Sequence, residues 1–155
     1  MAMTSRISEI SVHELLKTFL KYENLRLRAV RRLDVPATNR NFLKAVAASD
    51  SLSQTAAGRA EIEKLLTHPM PYIRVRAAGA VMTWAPEKAI PVFGRMLDAD
   101  LSAISSVDER LDIRIDSQDW LYQHFQIRSS DRNDLIEPLK AYGIELSYRD
   151  RTGWR

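Results

Sequence analysis

The 155-residue chain carries 23 Lys and Arg against 20 Asp and Glu, with 45% hydrophobic and 28% charged residues and no cysteine. These proportions belong to an ordinary folded domain and argue against a disordered or low-complexity chain. The missing thiols exclude a disulfide framework, a thiolate zinc site, an iron–sulfur cluster and a cysteine nucleophile. No apolar run approaches the roughly 20 residues that span a bilayer, and residues 1–14 lack the apolar stretch of a signal peptide. The expectation is a cytoplasmic chain with no membrane contact, folded as one domain over residues 1–155.

The net charge of +3 is unevenly spread: residues 1–50 hold nine Lys/Arg against five Asp/Glu, and residues 101–155 hold eight against ten. Ser11-Val12-His13-Glu14 has the spacing of a capping box and predicts the start of the first helix. Val12, Leu15, Leu16, Phe19, Tyr22, Leu27, Val30 and Leu33 then recur at helical intervals, as the core-facing stripe of an amphipathic helix. Carried through at 100° per residue, this register puts Leu25 outside and Arg26 near the stripe, so a bend near Asn24 is expected. Arg28, Arg31 and Arg32 project to solvent. Such an arginine cluster suits phosphate, an acidic protein surface, or simply a solvated helix face.

Val35-Pro36 is read as the end of that helix, with Thr38 or Asn39 capping a second one to about Ala48 whose apolar face is Phe42, Leu43 and Val46. The Ser-rich stretch 49–55 reads as a loop, and Ala56 to Thr67 as a third helix carrying Ile62, Leu65 and Leu66.

The most specific passage runs from His68-Pro69-Met70-Pro71-Tyr72-Ile73-Arg74-Val75-Arg76-Ala77-Ala78 through Trp84, Ala85-Pro86-Glu87 and Ala89 to Asp98. Pro71 and Pro86 each suit a first helical turn, where a missing N–H costs nothing. Ile73, Ala77, Ala80, Val81 and Trp84 form a stripe whose small members admit a close neighbour helix. Pro91 removes a backbone donor and predicts a tightened or kinked first turn in the helix bearing Ile90, Phe93, Met96 and Leu97. This passage resembles a HEAT-like repeat of the kind also found in phycobilisome lyase subunits, over residues 68 to about 98. Met70 stands where an aspartate is common in that repeat, leaving Arg74 without the usual loop carboxylate. One repeat does not make a solenoid, so the flanking helices are expected to serve as caps. Residues 11–98 as a whole are similar to a family of small bacterial helical proteins, some encoded beside polymorphic toxins and taken to be immunity proteins. That resemblance implies antiparallel helix pairs in a short right-handed α–α stack. It implies no catalytic residues, and the lyase likeness carries no bilin chemistry.

Residues 99–155 are read as an extension. Leu111-Asp112-Ile113-Arg114-Ile115-Asp116 and 144–149 alternate with the period of a strand. Between them, Ser117 is read as capping a helix with Trp120, Leu121, His124 and Phe125 on one face. Asp131 is read as capping another, with Leu135, Ile136, Leu139 and Tyr142, closed by Gly143. The fold class is therefore mainly α, with either a small two-stranded C-terminal appendage or a helix over 104–116 stacked on the repeat. Arg149 to Arg155 is expected to be a frayed tail.

The three histidines, His13, His68 and His124, lack metal-ligand spacing; His68 is read as bonding a backbone carbonyl and His124 as a core residue. Phosphate-cradling loops and nucleophile elbows are missing from the sequence, so no enzyme, no cofactor and no metal is expected. The acidic row Asp108, Glu109, Asp112, Asp116 and Asp119, partly neutralised by Arg110 and Arg114, is the first candidate for a partner-binding face. Tyr72, Tyr122 and Tyr148 are candidate aromatic anchors, and Arg28, Arg31 and Arg32 form the second candidate face. The resulting expectation is a non-enzymatic binding protein, monomeric or weakly dimeric, whose partner is a cognate protein toxin; nucleic acid held by the arginines is the alternative.

Overall fold

The computed structural model describes the backbone of residues 2–150 and the side chains of residues 11–150. Every regular element among them is helical: α1 (Ala2–Arg31), α2 (Val35–Ser53), α3 (Ala56–Lys64) with a 3-10 turn at Leu65–Thr67, α4 (Pro71–Val81), α5 (Pro86–Asp98), α6 (Val107–His124), a 3-10 turn at Arg132–Leu135, and α7 (Ile136–Lys140).

Ser11 does not start a helix. It is an exposed interior position of α1, because no proline or glycine in residues 2–10 breaks the chain ahead of it. The helix runs without interruption past Asn24, and Arg26 turns inward beside the apolar stripe. Pro36 starts α2 instead of ending α1. Leu33 makes the turn at φ 59, and the Asp34 carboxylate accepts from the Ala37 N–H at 3.1 Å, so Asp34 is the cap in place of Thr38 or Asn39. Residues 49–53 of the Ser-rich stretch are absorbed into the helix, leaving Gln54 and Thr55 as the connection: Ser49 and Ser53 hydroxyls donate to the carbonyls of Val46 and Asp50 at 3.0 and 2.7 Å. The face of α2 that packs inward is Ala37, Ala45, Ala48 and Leu52. Leu43 points outward, and Phe42, 41% exposed, lies at the surface under Arg26, since alanines fill the contact between α1 and α2.

Helix α4 is the centre of the molecule. Tyr72, Ile73, Val75, Ala77, Ala78 and Val81 are all buried, and α4 touches α1, α2, α3, α5 and α6. Pro71 and Pro86 open α4 and α5 as the sequence suggests, and Pro91 lies inside α5, which continues to Asp98. The carbonyls left over at the end of α5 are taken by Arg114, which donates to Met96, Leu97 and Ala99 at 2.6, 2.8 and 2.7 Å. Arg110 donates to the Ile104 carbonyl at 2.6 Å. These two arginines therefore serve backbone oxygens and do not neutralise the acidic row.

Residues 111–116 lie within α6, so no strand forms there, and Ser117 is a buried interior residue whose hydroxyl donates to the Ile113 carbonyl at 2.7 Å. The face of α6 that packs inward is Glu109, Ile113, Ser117 and Leu121. His124 is exposed, edge-on to Phe125, and not a core residue. His68 accepts from the Met70 N–H at 3.0 Å through Nδ1, so its partner is a backbone donor and not a carbonyl. Asp131 caps the turn before α7, and Gly143, at φ 73, closes it as the spacing predicts.

The segment 144–149 is extended with no strand partner. Ile144 and Leu146 are buried while Glu145, Ser147 and Tyr148 face solvent. Side chains replace the missing ladder. Ser147 donates its N–H and its hydroxyl to Asp98, each at 3.0 Å; Arg132 donates to the Ser147 carbonyl at 2.9 Å; Asn133 exchanges two bonds with the Arg149 backbone. Arg132, itself 3% exposed, also pairs closely with Asp98. The tail expected to fray from Arg149 does not begin there, because Asn133 holds the Arg149 backbone at both N–H and carbonyl; residues 151–155 of that tail lie outside the described residues.

Desolvation works against charge on Asp98, yet the Ser147 bonds and Arg132 hold its carboxyl below the usual range. A lowered carboxyl contributes stability that is present above the unfolded value and lost as pH falls through the folded one. The tail is therefore expected to loosen in acid: amide exchange at Ser147, corrected for intrinsic rate, should rise as Asp98 protonates. In Asp98→Asn it should be fast at every pH. Unchanged protection in that variant would show that Ile144 and Leu146 hold the segment without it.

Candidate functional site

The sequence places Tyr72 and Arg76 one turn apart on α4, and the Arg76 guanidinium lies over the Tyr72 ring at 4.7 Å. Asp112 and Asp116, one turn apart on α6, clamp the same guanidinium: Nη1 donates to Asp116 at 2.8 Å, and Nη2 bonds Asp112. Its Nε faces Glu23 of α1 at 3.8 Å. Arg26, three residues beyond Glu23 and so on the same side of α1, lies 4.0 Å from the same carboxylate and stacks over Phe42 of α2 at 4.7 Å. A line of charges thus crosses the bundle from α6 through α4 to α1 and ends against the Phe42 ring of α2.

This line forms one wall of a cleft of about 550 Å³. Phe42, Trp84 and Trp120 give it aromatic walls, and Asp50 and Asp119 stand with Asp116 among its lining carboxylates. Trp84 is oriented by donating from Nε1 to Glu63 at 2.9 Å, and Lys88 donates to the other oxygen of that carboxylate at 3.0 Å. The two bonds hold the Glu63 carboxyl below its ordinary value. Trp120 packs in parallel with Phe93, and its ring comes so near Gly79 that an added Cβ there would lie 3.3 Å from it.

Burial dominates the electrostatics. Glu23 is 3% exposed, and desolvation raises its carboxyl despite Arg76 and Arg26. Desolvation likewise raises Asp116, against the pull of Arg76. The Tyr72 hydroxyl, desolvated in the core, is pushed up to about 12. Glu23 Oε2, Nε and Nη1 of Arg26, Nε of Arg76 and the Tyr72 hydroxyl are buried without a hydrogen-bond partner. Arg74 Nε is in the same condition, in keeping with the missing loop carboxylate at Met70.

The residues singled out by sequence fall in different places. Asp112 and Asp116 come together, but on Arg76, so they are internal counter-ions with about 30% of each side chain exposed and not an open acidic face. Asp119 is exposed at the cleft. Tyr72 has no exposed surface and is a core residue, which removes it as a partner anchor. Tyr122 is half-buried, its hydroxyl donating to the Ser130 carbonyl at 3.2 Å, and Tyr148 is exposed. Arg31 bonds the buried Glu109 of α6 through Nε and Nη2, at 2.9 Å for the shortest contact. Arg28 and Arg32 remain exposed, Arg32 standing 3.6 Å from Asp34. Glu23 and Arg76 were not singled out. The signal for Glu23 is its position: it continues the Phe19 and Leu27 stripe at four-residue spacing, where a carboxylate needs a buried partner.

No protein-family model, curated protein or solved structure matches this chain.

Proposed function

We propose that the chain is a non-enzymatic protein-binding module, with the role of an immunity protein that binds and neutralises a cognate toxin. The observation that carries the binding reading is the outward face of α6. Val107, Leu111 and Ile115 follow one another at four-residue spacing and are 56%, 51% and 54% exposed. A stripe of large apolar side chains in water is the usual mark of a surface that a partner covers. The Arg31–Glu109 pair holds the end of α1 beside the start of α6. Leu33 and Val35, 70% and 64% exposed in the following turn, therefore lie near the same end of the molecule as Arg28 and Arg32. The matching partner surface is apolar with carboxylates around it, the arginines steering and orienting it. The HEAT-like reading of the α4–α5 pair is supported by the proline that opens each helix and the small residues between them; it supplies a frame and not a chemistry.

The nucleic-acid reading loses ground to the same side chains. Of the four clustered arginines, Arg26 is drawn into the cleft and Arg31 is spent on Glu109. That leaves Arg28 and Arg32 as the exposed members of the cluster not hydrogen-bonded to a carboxylate, few for a phosphate backbone.

The test is co-expression with the C-terminal domain of a toxin-like protein encoded immediately upstream, scored by growth and by copurification. Rescue together with a complex that persists from about 50 to about 200 mM salt is expected. Neither rescue nor complex, with a helical spectrum intact, would contradict the immunity role. Steeply salt-dependent retention of nucleic acid would favour the alternative.

A further inference from the structure

We propose that residues 144–149 form a strand edge on which a second copy of this chain pairs antiparallel, about a two-fold axis through Ser147. This site is separate from the outward stripe of α6 and does not depend on the immunity role.

The first support is where the backbone groups go. From Ile144 to Arg149 the chain runs without turn or bend. In extended backbone the N–H and C=O of one residue point to the same edge, and those of the next residue to the opposite edge. Ser147 and Arg149 have all four of their groups taken on one edge, by Asp98 at 3.0 Å, Arg132 at 2.9 Å and Asn133 at 2.9 and 2.8 Å. The N–H and C=O of Leu146 and Tyr148 therefore face the other edge, and none of these four has a hydrogen-bond partner among the described residues. Two donors and two acceptors in strand order are what an added strand needs. The edge is also held ready. Asp98, Arg132 and Asn133 fix its inner side, and Ile144 and Leu146 are buried, so pairing has no loose segment to order.

The second support identifies the occupant as the same segment of a copy. Pairing Leu146 with Tyr148 of the copy, and Tyr148 with its Leu146, makes four main-chain bonds. That register sets Glu145 opposite Arg149 of the copy, and two-fold symmetry repeats the pair. Glu145 is exposed with no ion pair among the described residues. Arg149, its side chain 56% exposed, stands 3.8 Å from Asp98 without a hydrogen bond to it, and is free to turn to the copy. The Tyr148 ring, 71% exposed in the single chain, comes beside Leu146 of the copy and leaves water. Ser147 meets itself on the axis, where a small side chain suits the roughly 4.5 Å approach of a non-hydrogen-bonded pair. A shift by two residues in either direction removes both charge pairs, so the charges select the register. A strand of unrelated sequence would use the four main-chain groups but not the charges.

Sedimentation equilibrium from about 10 µM to about 1 mM is expected to show a reversible monomer–dimer equilibrium, the weak range that four hydrogen bonds and a small contact support. Amide exchange at the two ends of that range locates the contact. Leu146 and Tyr148 should exchange more slowly as the dimer forms, while Ser147 and Arg149 are protected at both ends. Glu145→Arg makes both cross-strand pairs repulsive and is expected to weaken the dimer about tenfold. Its position is exposed, so the variant keeps the fold. Glu87→Arg, the same change at an exposed site at the other end of α5 from Asp98, should leave the dimer unchanged. A chain still monomeric at about 1 mM, or a dimer indifferent to Glu145→Arg, would overturn the proposal. So would a dimer in which the Leu146 and Tyr148 amides do not slow; its loss in Leu111→Asp would then place self-association on α6.

Discussion

Replacing Arg76 with alanine is expected to destabilise the protein by about 3–5 kcal/mol at neutral pH, the usual cost of stripping a buried ion pair of one partner. That is a large part of the roughly 5–15 kcal/mol that holds a domain of this size together. The reason lies in what remains. Asp112 and Asp116 lose both guanidinium bonds, and Glu23 keeps only Arg26, with which it makes no hydrogen bond. Arg76→Lys keeps the charge but not the fork that reaches two carboxylates at once, and falls between alanine and the native residue. The sign of the pH dependence is also determined. Burial already raises the Glu23 and Asp116 carboxyls, and a raised carboxyl contributes stability that is present below its unfolded value and lost as pH rises through its folded one. Without Arg76 those values rise further, so the deficit of the variant shrinks as the solution is acidified toward the carboxyl range. Urea titrations at two pH values test this. A loss below about 1 kcal/mol, or one independent of pH, would mean that water reaches these carboxylates freely.

Gly58→Ala is expected to cost about 3 kcal/mol, even though alanine is the better helix former by about 1 kcal/mol. Only Gln54 and Thr55 separate α2 from α3, so the new helix starts against the end of the old one. A Cβ at position 58 would lie 2.0 Å from the Leu52 carbonyl oxygen. That oxygen belongs to backbone anchored by a fully buried side chain, and Thr55 fixes the other side by accepting from the Gly58 N–H at 3.0 Å. Neither element can yield without losing a cap or a core contact. The melting temperature should fall by about 6–12 °C for a chain of this length. Gly94→Ala is the control. Its Cβ would meet Ile144 Cγ1 at 3.1 Å and Leu139 Cδ2 at 3.2 Å, the ends of side chains that can turn, and the net change should stay within about 1 kcal/mol. Equal losses at the two positions would show that backbone approach is not what requires glycine at 58.

The parts of the fold legible in sequence are those where one local signal acts alone. Pro71 and Pro86 mark the starts of α4 and α5, and Gly143 marks the end of α7, because a missing N–H or a left-handed φ has few uses elsewhere. Pro36 carries the same chemistry but two readings, stop or start, and the Asp34 cap decides between them. Helix α6 misleads for a different reason. Its inward positions are Glu109, Ile113, Ser117 and Leu121, and two of the four are polar. Arg31 satisfies the first and the Ile113 carbonyl the second, so no apolar stripe marks the inward face, while Leu111 and Ile115 of the outward stripe alternate with Asp112, Arg114 and Asp116 as a strand would. In α2 the error is one of size: alanines face α1, while the larger Leu43 is left in solvent and Phe42 sits at the cleft rim against Arg26. At 144–149 the alternation of burial is real, but side chains of Asp98, Arg132 and Asn133 stand where a second strand was expected.

The cleft was less legible than the fold. Its aspartates were visible as a row and its Arg26 as a residue out of register, but the partner that organises them, Arg76, lies forty residues from Asp116. Pairing at that distance is a property of the packed bundle and leaves no periodic trace. Arginine clusters show the converse. Adjacent in sequence, Arg26, Arg28, Arg31 and Arg32 are divided by the helix between a cleft, open solvent and a buried carboxylate.

The measurement to make on a purified complex is its dissociation constant for Leu111→Asp and Ile115→Asp, with Leu43→Asp, a still more exposed apolar site on α2, as control. A partner seated on the outward stripe of α6 predicts a loss of about thirtyfold or more for the first two, the scale of a truncated hot spot, and little change for the third. Unchanged affinity in Leu111→Asp and Ile115→Asp would contradict a docking role for α6.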